Sequence, residues 1–144
     1  MTIEFPRRGG PDAARFQACL RISGPELDPV RVSALLGLEP AQAHRRGDPR
    51  YGSQRRQYSD YSVGVWILEP GLHPASSLLD QLERLLWLAD GKQESLRSIA
   101  AQGNSVEILI GVFDLGDNAE FQLPADLLLR LSSIGAGLGF DVYP

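Results

Sequence analysis

The residues best suited to chemistry lie in one basic stretch, positions 44–58. Tyr51 and Tyr58 are interspersed in it, and Gly47 and Gly52 would let main-chain amides approach a ligand. The planar fork of an arginine side chain matches carboxylates and phosphates. The stretch predicts a contact surface for phosphate, nucleic acid or an acidic protein. The alternatives are a mobile, solvated loop and a loop that pairs with the acidic second half of the same chain. Its basic residues are His44, Arg45, Arg46, Arg50, Arg55 and Arg56.

Charge is unevenly divided along the chain, which fits each of these interpretations. Residues 1–56 carry ten Arg and six acidic residues (+4), whereas residues 57–144 carry four basic and twelve acidic residues (−8), which gives the net charge of −4. Nucleic-acid-binding domains are usually basic overall. The acidic balance of the whole chain therefore favours a protein partner over DNA or RNA.

His44 is the candidate general base, because an ordinary imidazole titrates near neutral pH. No nucleophile motif lies beside it, and Ser53, Ser59 and Ser62 do not belong to one. The chain has two histidines and one cysteine, which do not form a usual zinc-ligand set. The sequence therefore predicts no metal, no cofactor and no catalytic residue, and a small enzyme built on His44 remains an alternative.

A second group of candidates lies on predicted strands. Asp141 and Tyr143 share one face of the last strand, and Asp141 is expected either to line a groove or to form a salt bridge with the basic stretch. Trp66 lies in an apolar strand, where a tryptophan is usually part of the core, although it would stack on a ligand if it were exposed. We expect the contact surface to combine residues 44–58 with a sheet face near Trp66, Asp141 and Tyr143.

The length of 144 residues is that of one ordinary domain. Residues 1–15 contain no apolar run and are predicted to be a flexible leader, followed by a single α+β domain over 16–144. A lone cysteine, Cys19, favours a reducing compartment, and no stretch is long and apolar enough for a membrane span. The expectation is a cytoplasmic protein without a signal peptide.

Hydrophobic periodicity places the elements that must position these residues. Alternation predicts strands over 16–23, 61–69, 106–113, 120–123 and 138–143. Helical spacing predicts helices over 76–89, over 93–102 and from Pro124, and one that is capped by Asp28 before Pro29 and ends at Gly37. Residues 39–60 are predicted to be a long loop with room for one short hairpin. From Tyr61 onward the order βαββαβ is ferredoxin-like, with an extra N-terminal strand-helix unit. A mixed or antiparallel sheet with helices packed on one face follows.

An ordered set of short motifs resembles a bacterial family, the domain of unknown function DUF4279, over residues 16–143. The motifs are Leu36-Gly37-Leu38-Glu39-Pro40, His44-Arg45-Arg46-Gly47, Val65-Trp66 and Asp141-Val142-Tyr143. The resemblance implies a small bacterial cytoplasmic domain without an assigned activity. Some family members are linked to toxin–immunity systems, which implies a role in protein binding.

Three functional hypotheses follow from the sequence. The first is a non-enzymatic binding protein, immunity-like or regulatory, with a protein partner. The second is a binder of an anionic ligand, nucleotide or nucleic acid through residues 44–58. The third is a small enzyme using His44. The exposed edge of the last strand is also a candidate for homodimer formation.

Overall fold

The computed structural model describes residues 15–51, 57–113 and 121–143. Most of the predicted leader, as well as Arg55 and Arg56, therefore lies outside the described residues. None of the helices in the described parts of the chain is long and apolar enough to cross a membrane. The elements in chain order are β1 (Arg15–Gly24), α1 (Pro29–Leu36), β2 (Gln42–His44), β3 (Arg50–Tyr51), β4 (Gln57–Tyr58), β5 (Gly64–Leu68), α2 (Leu78–Ala89), α3 (Gln93–Ala101), β6 (Ser105–Phe113), α4 (Ala125–Ser133) and β7 (Gly137–Val142).

Strand β1 lies at the centre of a five-stranded sheet with the order β2-β5-β1-β6-β7. It pairs antiparallel with β5 and β6, while β7 adds to β6 in the parallel direction. The predicted α+β class and mixed sheet are confirmed. The short hairpin expected inside residues 39–60 is formed by β3 and β4.

The ferredoxin-like order is not confirmed. Residues 121–123 form no strand, although a strand was predicted over 120–123. Phe121 and Leu123 instead pack against the core as half-buried side chains, so their alternation with polar residues reflects burial without strand pairing. The N-terminal strand-helix unit is also not an addition at the side of the sheet, because its strand, β1, is the middle strand of the sheet.

The helices cover one face of the sheet. In β1 the residues Ala18, Leu20 and Ile22 are buried, whereas Gln17, Cys19, Arg21 and Ser23 on the other face are half-buried or exposed. Each helix in the described part of the chain contributes buried residues to the same core cluster as Ile22. Within the described parts of the chain, the sheet therefore has a covered face and an open face.

Local signals in the sequence fix the ends of α1. Asp28 is its N-cap and accepts hydrogen bonds from the main-chain amides of Val30 and Arg31, and Pro29 occupies the first turn. Gly37 ends the helix in the left-handed conformation, with φ of 63°. Both features match the sequence prediction for this helix.

Gln81 of α2 completes a part of β1 that has no strand beside it. Strand β5 pairs only with Leu20–Gly24, so the first half of β1 extends beyond it. The Gln81 side chain, 5% exposed, accepts a hydrogen bond from the amide of Ala18 (2.8 Å) and donates one to the carbonyl of Phe16 (2.9 Å). A second donation reaches the carbonyl of Ser76 at 3.0 Å. One side-chain amide thus takes the place of a neighbouring strand.

We expect Gln81→Leu to lower the free energy of unfolding by about 2–4 kcal/mol, because it leaves buried main-chain groups of β1 without partners. Denaturant unfolding followed by circular dichroism measures the change. Gln102→Leu, at an exposed glutamine, is the control and should change stability by less than about 0.5 kcal/mol. Equal stabilities of the two variants would contradict this role for Gln81.

Candidate functional site

The open face of the sheet carries the side chains that alternate with the core. It is more apolar than an ordinary solvated sheet face, because Ile67 of β5 and both Leu109 and Phe113 of β6 lie on it half-buried. We define the open face by the described residues Gln17, Cys19, Arg21, Ile67, Glu107, Leu109, Gly111, Phe113, Asp141 and Tyr143.

The first part of the basic stretch, residues 44–48, folds back at one edge of this face. The amide of Gly47 donates a hydrogen bond to the carbonyl of Tyr61 (2.8 Å). The amide of Tyr61 donates one to the carbonyl of Asp48 (3.1 Å). The ring of His44 stacks on Tyr61, with 3.4 Å between ring centroids. In the ladder His44 pairs with Val65, which is buried. This end of the sheet is thus covered by the chain itself.

Two arginines of the stretch form ion pairs with carboxylates of this chain. Arg45 Nη2 lies 2.8 Å from an oxygen of Asp28, and Arg46 Nη2 lies 2.6 Å from an oxygen of Glu26. Both acidic residues belong to the turn before α1. The alternative from the sequence, pairing with the acidic second half of the chain, does not apply to these two arginines. The four side chains are between 42% and 78% exposed, so each pair contributes at most about 1 kcal/mol. Arg50 begins β3 in the hairpin.

His44 is half-buried at the end of β2. Among the described residues its buried Nδ1 atom has no hydrogen-bond partner, so no carboxylate orients the ring through that atom. Burial lowers the pKa of His44, and the nearby negative charge of Asp48 only partly opposes this effect. That carboxylate accepts a hydrogen bond from the amide of Arg45 (2.8 Å). The described residues also contain no group of three or more potential metal ligands.

Trp66 lies on the covered face and is fully buried, with its indole nitrogen donating to Ser33 Oγ at 3.0 Å. It is therefore part of the core and is not available for stacking on a ligand. Asp141 and Tyr143 lie by β7, at the edge of the sheet opposite to β2 and the basic stretch. The predicted surface is thus divided between two edges, with three strands between them.

Asp141 and Tyr143 do form a local unit. The Tyr143 hydroxyl donates to the Asp141 carboxylate at 2.6 Å, and its ring stacks on Phe113 with 4.7 Å between centroids. The bond to Asp141 raises the pKa of Tyr143. Asp141 thus interacts with its neighbour on the same strand, rather than with the basic stretch.

Beside this unit the open face forms a cleft of about 510 Å³. Residues 70–74, which follow β5, form one wall, and Cys19, Ile67 and Leu109 lie at its base. Among the described residues that line it, the charged ones are Glu69 and Asp141, both acidic. Burial raises the pKa of the Cys19 thiol, with Glu69 and Glu107 adding to the effect and Arg21 opposing it. The thiol is therefore protonated and weakly nucleophilic at neutral pH.

Sequence reasoning did not find this cleft. One signal was present in the sequence. Residues 106–113 are apolar on nearly both faces of the strand, which predicts that the second face is also covered. The position of the cleft depends on where β5 stops along β1, and this register cannot be derived from the periodicity of either strand.

Residues 14–144 match the profile of a family described as Domain of unknown function (DUF4279). The match covers nearly the whole chain, so the chain belongs to this family. Searches of curated proteins and of solved structures found no match.

The position of His44 predicts a specific response to acid. Because its pKa is lowered in the folded protein, the unfolded chain binds the proton first as the pH falls. The stability contributed by neutral His44 is therefore complete above about pH 6.5 and decreases as the pH falls below that value. His44→Phe keeps a ring against Tyr61 without titrating. Unfolding free energies measured across this range should fall more steeply for the wild type, and parallel curves would contradict the prediction.

Proposed function

We propose that this member of the DUF4279 family is a non-enzymatic binding domain that holds a partner protein on the open face of its sheet. The observation that carries the proposal is the one-sided covering of the sheet, which leaves Ile67, Leu109 and Phe113 half-exposed around a cleft. Apolar groups gathered in a concave surface are typical of binding sites.

Charge in the cleft supports a particular kind of partner. Its charged lining in the described residues, Glu69 and Asp141, is acidic, and the hydroxyl of Tyr143 lies against Asp141. A lysine or arginine side chain entering between the two carboxylates would be attracted, and its aliphatic part would contact Leu109. The partner surface that fits the cleft is therefore apolar with a basic side chain.

Arginine-mediated binding of an anionic ligand is less well supported. Arg45 and Arg46 already contact Asp28 and Glu26, so an anion would have to compete with two ion pairs. An enzyme is less well supported still, because Nδ1 of His44 has no partner among the described residues and His44 does not line the cleft.

An immunity-like and a regulatory role both require the same property, a stable complex with defined stoichiometry. A one-sided sheet meets that requirement, because its helix-covered face maintains the fold while the open face is free to be covered. We place this role in the bacterial cytoplasm, where a lone unpaired thiol such as Cys19 is expected.

Leu109→Arg tests the proposal directly. It places a positive charge at the base of the cleft, where it would repel a basic partner side chain and remove apolar contact area. We expect the wild type to recover a partner from an extract of its native host at a constant molar ratio. The purified pair should then bind at least about 100-fold more weakly with Leu109→Arg, a loss of about 2.7 kcal/mol.

Matched variants identify the surface responsible. Trp87→Arg makes the same kind of change at an exposed aromatic residue of α2 and should leave binding unchanged. Arg45→Gln combined with Arg46→Gln should also retain binding. The proposal would be refuted, in favour of binding by the basic stretch, if the double variant Arg45→Gln/Arg46→Gln lost binding and Leu109→Arg retained it. Thermal unfolding of each variant confirms that it is folded.

A further inference from the structure

Strand β7 has an outer edge that no described strand covers. It is the last strand in the sheet order, paired on its inner side with β6 from Glu107 to Val112. The amide of Tyr143 donates to the carbonyl of Val112 at 2.8 Å, so the main-chain groups at position 143 point towards β6. Because these groups alternate in direction along a strand, those of Leu138, Phe140 and Val142 point outward.

The same three residues also carry the exposed apolar side chains of this strand. Leu138, Phe140 and Val142 lie on the covered face in register with Ile108, Ile110 and Val112, which are fully buried. Their own side chains are nevertheless 36%, 45% and 57% exposed. The apolar layer of the core thus continues to the edge of the sheet, where its last residues, those of β7, are exposed.

We propose that a second copy of this chain pairs with this edge, with the two β7 strands antiparallel about a two-fold axis at Phe140. The two sheets would join into one continuous sheet, with the helices of both copies on the same side. This inference is independent of the proposed function, because pairing at the edge leaves the cleft on the open face uncovered.

The sequence of β7 is complementary to itself in this register. Phe140 lies opposite its own counterpart and Leu138 opposite Val142, so the outward-pointing residues meet and can exchange main-chain hydrogen bonds. On the other face Asp141 lies opposite Gly139, and no like charges meet. A shift of the pairing by one residue on each strand would place Asp141 opposite Asp141. A shift in the opposite direction would centre the pairing on Gly139 and place Val142 opposite Ala136, which precedes the strand. The register centred on Phe140 is favoured because it pairs all three outward-pointing residues.

A second copy is a better occupant than an unrelated strand. A two-fold interface requires one surface that is complementary to itself, which this strand provides. Gly137–Val142 contains no lysine or proline, and its one charged residue, Asp141, lies opposite Gly139 in this register. The opposite edge, β2, has only three residues and is followed by the basic stretch.

Cysteine cross-linking tests the register. In a Cys19→Ser background, Phe140→Cys would face its counterpart with Cα atoms about 5.5 Å apart, within the range of a disulfide. Val142→Cys would lie opposite Leu138 of the other copy, four residues along the strand from its own counterpart, so the two cysteines would be about 14 Å apart. We expect Phe140→Cys to form a disulfide dimer at least about tenfold faster than Val142→Cys. A mixture of Leu138→Cys and Val142→Cys should also cross-link.

The mass of the wild-type protein provides a test that does not depend on any variant. Sedimentation over a wide dilution series should show a species of twice 15.8 kDa that dissociates on dilution. Val142→Pro removes an outward amide and should shift the protein to the monomer, whereas Val142→Thr should not. A wild type that stays monomeric at every concentration, or equal cross-linking of Phe140→Cys and Val142→Cys, would overturn the proposal.

Discussion

Burial of one face of β1 against the helices is the interaction on which the rest of the structure depends. Ala18, Leu20 and Ile22 anchor the middle of the sheet in the core, and β5 and β6 align on either side. Because the helices lie on that face alone, the opposite face can be covered only by the chain's own loops or by another molecule. His44 and Tyr61 cover one end of it, and the described residues leave the cleft beside Leu109 open.

The basic stretch has a structural role in this arrangement. Arg45 contacts the same Asp28 carboxylate that caps α1, so the stretch is attached to the start of the first helix. Arg46 adds a contact to Glu26 in the preceding turn. These pairs are weak singly, but together with the main-chain bonds between Gly47, Asp48 and Tyr61 they hold the stretch against the edge of the sheet.

Much of the fold follows from local signals in the sequence, and the candidate site does not. Alternation predicts β1, and Asp28 and Gly37 predict the ends of α1, because these signals act within a few residues. Which carboxylates meet Arg45 and Arg46 depends on how the turn before α1 approaches β2, a contact distant in sequence. The depth of the cleft depends on the unequal lengths of β1 and β5, and Gln81 is needed only because of that inequality.

Cys19 offers the most direct test, because it is the single cysteine of the chain and lies at the base of the cleft. The measurement is its rate of alkylation by a maleimide, in the purified protein and in a thiol-free extract of the native host. If a partner covers the open face, the rate for the wild type should be lower in the extract than for the purified protein, whereas Leu109→Arg should react equally fast in both. An unchanged rate in the extract, or protection that persists in Leu109→Arg, would contradict the account.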